Sequence, residues 1–313
     1  MEIVSFVIPC YRSEKTISTV VNEIKEIFME QEEYDYEVIL VNDYSPDNVW
    51  GVIKQLSKDP KVKGVCLAKN FGQASAVMAG YSQVSGNFVV TVDDDGQSPL
   101  DSMMAALKLL KEKDYDVVYG TCTEAKFNIF RRIGSKINGW MAKVMFDRPS
   151  TERVVSLSVA RRFVIDEMLR YQHSYPYISG LVYRTTRNIG YLPVKHRKRM
   201  MGTSGYSFRK LVKVWLNGFT AFSIKPLRMA SVLGFVASVL GLICALITVI
   251  NKLIHPNVAI GWSSTISVTL ILGGIILLVL GMIGEYLGRI YMCINQTPQY
   301  VIREKVNFSE NHK

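Results

Sequence analysis

Three consecutive carboxylates, Asp93, Asp94 and Asp95, follow directly on the apolar run Phe88-Val89-Val90-Thr91-Val92. Like charges this close repel, so a cation or bulk solvent must offset them. Asp93 and Asp95, flanking Asp94, are spaced to present oxygens to one hard divalent ion, Mg2+ or Mn2+. An ion held by so few carboxylates bridges to substrate phosphates and neutralises a departing diphosphate. The triplet alone fits an acidic surface loop equally well, and the choice turns on its neighbours. The chain has no GxxxxGK[ST] and no GxGxxG, which argues against an ATPase and a dinucleotide enzyme.

The neighbours come from the elements that must position the triplet. Short β-rich runs at Ile3–Ile8, Glu37–Val41, Val62–Ala68, Phe88–Val92 and Asp116–Thr121 alternate with helical patterns at Ser13–Glu30, Asp47–Ser57, Gly72–Gln83 and Leu100–Lys111. Within the first of these helices the apolar residues Ile17, Val20, Val21, Ile24, Ile27 and Phe28 recur at helical spacing. Alternation of this kind predicts an α/β domain, doubly wound, with a mostly parallel sheet covered on both faces. Ligands of such sheets bind outside the carboxyl ends of the strands. Four polar clusters fall there: Pro9-Cys10-Tyr11, Asn42-Asp43, Lys69-Asn70-Phe71-Gly72-Gln73 and Asp93–Gln97. Convergence of four clusters on one rim favours a site over a loop.

Two later stretches carry no charge. Met229–Ile250 has 22 residues and Trp262–Gly284 has 23. Each makes a helix of about 33 Å, long enough for a bilayer core of about 30 Å. Two buried core helices are the other reading. "MEIVSFVIPCY" has no basic n-region and only a short apolar run, so no signal peptide is expected. Lys225 and Arg228 precede the first stretch, Arg289, Arg303 and Lys305 follow the second, and one lysine lies in the loop 251–261. This asymmetry predicts both termini and the catalytic domain on the cytoplasmic face of the plasma (inner) membrane. The cysteines at 10, 66, 122, 244 and 293 are scattered without a CxxC pair, so neither a disulfide framework nor a zinc site is indicated.

The formal net charge of +10 is localised. Between Met168 and Gly284 there is no Asp or Glu, against 13 Lys and Arg, twelve of them between Arg170 and Arg228. A basic belt beside a membrane span points to lipid phosphates rather than nucleic acid. Within it, Phe208, Leu211, Trp215, Phe219 and Phe222 cluster within about 80° on a helical wheel, with Arg209, Lys210 and Lys213 opposite. The segment Ser207–Phe222 therefore reads as a helix lying in the membrane interface, or as one packed on the catalytic domain.

"FVIPCYRSEKTI", "VILVNDYSPDNV", "LAKNFGQASAVMAGY" and "VTVDDDGQSP", in this order, resemble the nucleotide-sugar half of family 2 glycosyltransferases with the GT-A fold. "FTAFSIKPLR" before the first apolar stretch, with "GEYLGRIY" and "PQYVIRE" after the second, resembles the membrane-anchored polyprenyl-phosphate glycosyltransferases. These are the bactoprenol glucosyltransferases and relatives of dolichyl-phosphate mannose synthase. The resemblance covers nearly the whole chain.

It implies a cytoplasmic catalytic domain over 1–205, an interfacial helix and juxtamembrane segment over 206–228, two transmembrane helices within 229–284, and a cytoplasmic tail over 285–313, frayed from Asn307. Pro9 and Tyr11 would line the nucleotide pocket, and Asp43 would contact the base or ribose. Lys69, Asn70 and Gly72 would border the sugar nucleotide, with Asp94 facing the ribose or solvent. Asp93 and Asp95 would hold the metal and diphosphate, and Gln97 would lie near the sugar. Arg199, in "HRKRMMGTSGY", would meet a phosphate, of either the donor or the lipid, and Arg131, Arg197 and Ser204 would lie on the lipid phosphate.

Two positions depart from the family pattern. Val155 stands where relatives carry an acid read as a catalytic base, with Asp147 and Glu152 the nearest carboxylates, and Gly205 stands where a lysine follows the serine. A lipid monophosphate is already largely ionised near pH 7, so its oxygen needs positioning and charge screening more than a strong base. The implied reaction is an inverting single displacement, from a nucleoside diphosphate sugar, by analogy UDP-linked, to polyprenyl phosphate. The four tryptophans, at 50, 140, 215 and 262, are none of them in a Q-x-x-R-W motif, which argues against a processive polysaccharide synthase. A membrane-anchored nucleotide-sugar-binding scaffold with a degenerate site is the reading from another class. Gly273-Gly274 and Gly281 permit close helix packing, and with it a homo-oligomer.

Overall fold

The computed structural model describes residues 1–29, 31–122, 153–174, 176–195, 261–295 and 297–308, together with 232, 234–237, 239, 241–243, 246, 247, 250, 253 and 254. The chain divides into two compact units, Met1–Leu211 with Thr297–Lys313, and Val212–Gln296.

The first unit is built on an eight-stranded sheet: β1 (Glu2–Cys10), β2 (Tyr34–Asn42), β3 (Val62–Leu67), β4 (Phe88–Val92), β5 (Val117–Cys122), β6 (Arg153–Arg161), β7 (Ile189–Pro193) and β8 (Ile302–Val306). Their order is β7-β5-β6-β4-β1-β2-β3-β8. Helices α1 (Ile17–Met29), α2 (Val49–Leu56), α3 (Gln73–Tyr81), α4 (Met103–Glu112), α5 (Arg162–Leu169) and α6 (Ile178–Thr185) connect or flank the strands. The four N-terminal strands pair in parallel, with β1 between β2 and β4, so all four end at the same rim.

Near-continuous apolar strands are what a sheet covered on both faces demands. Val4, Phe6, Ile8 and Cys10 of β1 point into one core with Ile17, Val21 and Ile24 of α1 and Met103, Leu107 and Leu110 of α4. Val7 faces the other way, under α3: a Cβ on Gly80 would come within 2.4 Å of its Cγ1.

The sheet is mixed: four of its seven strand pairings are parallel, as expected, and three are antiparallel. β6 runs antiparallel between β4 and β5, β7 is parallel to β5, and β8 is antiparallel to β3. The physical reason is connectivity: α4, the one α-helix described between β4 and β6, leads into β5, and β6 then inserts backwards between them.

Glu37 is the one acidic side chain buried within a strand of this sheet, 5% exposed. Its oxygens accept hydrogen bonds from Ser5 Oγ (2.5 Å), the Ser85 amide (2.6 Å) and Lys63 Nζ (2.6 Å). Burial alone would push its carboxyl up, but Lys63, Ser5 and Ser85 together hold it below the usual value of 4.5. A carboxyl depressed in the folded state contributes stability above its unfolded value and loses it as pH falls through the folded one. Glu37→Gln is expected to cost about 2–3 kcal/mol at pH 7. That gap to wild type should narrow below pH 4.5. Urea midpoints at pH 7 and pH 3.5 measure both, and an unchanged gap would rule out ionisation as its source.

Within the expected tail 285–313, residues 285–294 belong to a helix and Ile302–Val306 to a strand. The helix α7, Trp262–Ile294, continues ten residues past Gly284, and β8 then joins the sheet edge. Trp50 Nε1 and Lys54 Nζ both donate to the Glu304 carboxylate, at 3.1 and 2.6 Å. Asn307, expected to fray, donates from Nδ2 to the carbonyls of Asp59 and Val62 at 2.9 and 2.8 Å. Gln299 Nε2 donates to the carbonyls of Tyr171 and His173, and Ser174 Oγ donates to that of Thr297.

In the second unit, α7 contains the window Ile271–Gly288, of mean hydropathy 2.0, and is by length and composition able to cross a membrane. Ile271, Ile276, Leu277 and Leu280 are all more than half exposed. The expected stretch Met229–Ile250 is described only in part, with an apolar helix at Gly234–Ile243. The expected interfacial helix Ser207–Phe222 lies outside the described residues.

Candidate active site

The carboxyl ends of β1 to β4 converge, and each delivers a polar residue to the same rim. β1 ends at Cys10, so Tyr11 stands beyond it, and its amide donates to Asp94 Oδ2 at 2.9 Å. Asp94 is thus turned onto the β1–α1 turn, and its carbonyl accepts from Thr16 Oγ1 at 2.6 Å. Burial pushes its carboxyl above the usual range, the Tyr11 amide and Ser13 hydroxyl oppose this, and the adjacent Asp95 charge adds to it. Asp94 therefore braces the acidic turn, which answers where the middle charge of the triplet goes.

The outer two carboxylates are held differently. Asp93 Oδ1 accepts from Gln73 Nε2 at 2.8 Å, while its amide donates to the buried Ser98 Oγ at 3.0 Å. Ser98 Oγ in turn donates to the Ser156 carbonyl of β6 at 3.0 Å. Asp95 Oδ1 accepts from the Gln97 amide at 3.1 Å across Gly96, whose φ of +73° is the left-handed conformation a side chain resists. The turn so presents Asp93, Asp95 and Gln97 at the end of β4, all partly exposed.

Asp43, at the end of β2, is 3% exposed, and its two oxygens accept from the amides of Phe71 (2.7 Å) and Gly72 (2.9 Å). Asn70 Nδ2 donates to the Asp43 carbonyl at 3.1 Å. Burial raises the Asp43 carboxyl, and the two amides partly offset it. The side chain expected at the base or ribose thus serves first as the clamp of the Lys69–Gly72 loop. Lys69 is exposed, its Nζ 5.0 Å from the Phe71 ring centroid, and Pro9 is buried in β1.

Gly72 caps α3 with φ +91° and ψ 155°, a region open essentially to glycine alone. A Cβ there would meet nothing within 4 Å, so the cost of Gly72→Ala is conformational. It is expected to be about 1–3 kcal/mol, with a raised KM for donor, read by thermal unfolding and by steady-state kinetics.

Residues 5–169 match the model of Glycosyl transferase family 2, and residues 225–290 match that of the GtrB C-terminal hairpin. The chain belongs to glycosyl transferase family 2. It is 32% identical over 302 residues to the uncharacterized glycosyltransferase YkcC of Bacillus subtilis (strain 168), covering 96% of this chain and 93% of that protein. It is also 32% identical over 315 residues to the undecaprenyl-phosphate 4-deoxy-4-formamido-L-arabinose transferase of Proteus mirabilis (strain HI4320), covering 99% and 96%. The mannosyl-3-phosphoglycerate synthase of Rubrobacter xylanophilus shares the fold at a TM-score of 0.51, with 12% identity over 69% of this chain and 72% of that one. The mixed sheet is thus the GT-A fold, and the protein is a glycosyltransferase.

This glycosyltransferase has no clusters of three or more His, Cys, Asp or Glu suited to a metal among the described residues. Two hard carboxylates at the rim fit the mode in which Mg2+ or Mn2+ takes one or two protein oxygens and completes its shell from substrate phosphates and water. Val155, the position at which an acid was expected, lies in β6 and packs against the apolar core. Arg131, Asp147, Glu152, Arg197, Arg199, Ser204 and Gly205 lie outside the described residues. Sequence reasoning put Gln73 on the rim without a role and missed Ser98; both bond to Asp93. It also missed the lacing of the first two strand ends: Ser45 Oγ accepts from the Arg12 amide, and Asp47 Oδ2 accepts from that of Glu14. The Asn-Asp-x-Ser-x-Asp spacing of residues 42–47, rich in turn-forming side chains, was the available signal.

Proposed function

We propose that this glycosyltransferase transfers a sugar from a nucleoside diphosphate sugar, UDP-linked by analogy, to polyprenyl (undecaprenyl) phosphate on the cytoplasmic membrane face. The observation that carries the acceptor is similarity over 99% of the chain to a protein named as an undecaprenyl-phosphate sugar transferase, apolar segments included. The lipid phosphate oxygen attacks the anomeric carbon, the nucleoside diphosphate leaves from the opposite face, and the configuration inverts. Asp93 and Asp95 would hold Mg2+ or Mn2+, which would supply counter-charge for the leaving diphosphate. Gln97 lies by the sugar, and Tyr11, Asp43, Lys69 and Asn70 border the nucleotide. Arg131, Arg197, Arg199 and Ser204 take the lipid phosphate. With Val155 in an apolar layer, the ionised phosphate itself supplies the nucleophile.

Chain topology supports two crossings. Residues up to 195 and from 297 belong to one compact unit, which is in keeping with an even number of spans in the segment between them. The helix α7 supplies one, Met229–Ile250 has the length and polarity for the other, and the GtrB hairpin match covers both. The domain plan is then a catalytic unit over 1–205, completed by β8, an interfacial segment over 206–228, and two spans joined by the external loop 251–261. Gly273, Gly274 and Gly281 are small residues of α7 that would permit close packing with a second copy of the helix.

Membranes containing the protein, given a panel of nucleotide sugars with undecaprenyl phosphate, are expected to form a lipid of mass equal to undecaprenyl phosphate plus one glycosyl residue for one donor. Metal-dependent donor binding with no glycolipid from any donor would instead favour the scaffold reading.

A further inference from the structure

The rim holds a side chain for which the reaction outlined above has no role. Tyr44 follows Asp43 directly, has φ +51°, and is 51% exposed. The left-handed region crowds the Cβ of an L residue against the following carbonyl, and tyrosine lacks the short polar side chain with which Asn or Asp compensates. A half-exposed ring also recovers little from burial. The neighbours impose the conformation. Asn42 Oδ1 accepts from the Ser45 amide at 2.9 Å, and the Asp43 amide donates to the Cys10 carbonyl at 3.2 Å. Ser45 Oγ donates to Asp47 Oδ1 at 2.5 Å and accepts from the Arg12 amide at 2.7 Å. The result of this lattice is one aromatic ring held out from the end of β2.

The adjacent strand repeats the pattern. Arg12 has φ +60°, Tyr11 before it is 45% exposed, and the Arg12 guanidinium sits 5.6 Å from the Tyr11 ring centroid. The register of β1 on β2 pairs Cys10 with Asn42, so the two rings leave neighbouring strands one and two residues beyond a paired position. Strained residues at a rim that other side chains over-determine mark pre-organisation for a ligand. Exposed, rigid aromatic faces take the flat face of a nucleobase.

We propose that Tyr44 stacks on the nucleobase of the nucleoside diphosphate donor and is a specificity-determining residue for it. The inference rests on the nucleotide-sugar reading above, and deepens it by assigning a base contact beyond Tyr11 and Asp43.

The test uses the full-length chain, purified in detergent with Mn2+, titrated calorimetrically with UDP, CDP, GDP and pyrophosphate. Asparagine accepts the left-handed conformation, so Tyr44→Asn removes the ring without disturbing the turn. Its affinity for the preferred nucleoside diphosphate is expected to fall about tenfold or more, with pyrophosphate binding unchanged and Tm equal or higher. Tyr44→Phe keeps the ring and recovers the affinity to within about threefold of wild type. Equal nucleotide affinity in wild type and Tyr44→Asn overturns the proposal alone, as does an equal loss for pyrophosphate or a Phe variant as weak as the Asn variant. Failure of the wild type to bind any of the three nucleoside diphosphates overturns both the proposal and the reading beneath it.

Discussion

Asp95→Asn is expected to lower sugar transfer about a thousandfold or more, roughly 4 kcal/mol of transition-state stabilisation, while the protein stays folded. The folding half follows from geometry: Asp95 Oδ1 accepts the Gln97 amide, and an asparagine oxygen keeps that bond and the turn over Gly96. What asparagine removes is one negative charge. If that charge holds the divalent ion against the diphosphate, the leaving group loses its counter-charge at the moment it departs. Asp94→Asn is the internal control. Its oxygen still accepts the Tyr11 amide, and the carboxylate it replaces is turned inward, so transfer should stay within about tenfold of wild type. Glycolipid formation together with Mn2+ affinity separates the two; equal losses in both variants would refute the assignment of the metal to the outer carboxylates.

Asp43→Ala is expected to destabilise the catalytic unit by about 2–4 kcal/mol and to lower kcat/KM about a hundredfold. Both Asp43 oxygens accept from backbone amides of the loop leading into α3. Deleting the carboxylate orphans the Phe71 and Gly72 N–H groups and loosens the loop, leaving the Asn70 side chain bonded to the residue-43 carbonyl. Asp43→Asn keeps one acceptor and turns an amide NH2 toward the other donor, so it should fall between alanine and wild type. Thermal unfolding and donor kinetics measure the two effects together; a Tm within about 1 °C of wild type for the alanine variant would show that the loop stands without its clamp.

The first four strands and the helices between them were legible because their signal is local. An apolar run such as Phe88–Val92 and a periodic one such as Ile17–Phe28 need no partner to be read, and the predicted Phe88–Val92 strand has those bounds. β6 and β8 were not read as strands, for a physical reason. "RVVSLSVAR" and "IREKV" alternate polar with apolar residues, and their place in the sheet depends on distant edges, β4 and β5 for one and β3 for the other. At the rim, residue types announced that carboxylates would gather, but not which way each would turn. Asp94 and Asp43 look in sequence like ligand contacts, and the backbone amides that also bond to them come from loops far along the chain. Tyr44 was silent because a backbone dihedral leaves no mark on composition.

The edge strand β8 has a consequence for how the protein is made. It follows α7 in the chain, so it leaves the ribosome after both apolar stretches. Until then the outer edge of β3 is bare, and an unpaired strand edge is a template for wrong partners. The Ala68 amide, one residue before the Lys69–Gly72 loop, finds its acceptor only when the Val301 carbonyl arrives. Completion of the sheet beside the Lys69–Gly72 loop is thereby deferred until the hydrophobic segments have been synthesised, so the order of translation ties maturation of that loop to the making of those segments.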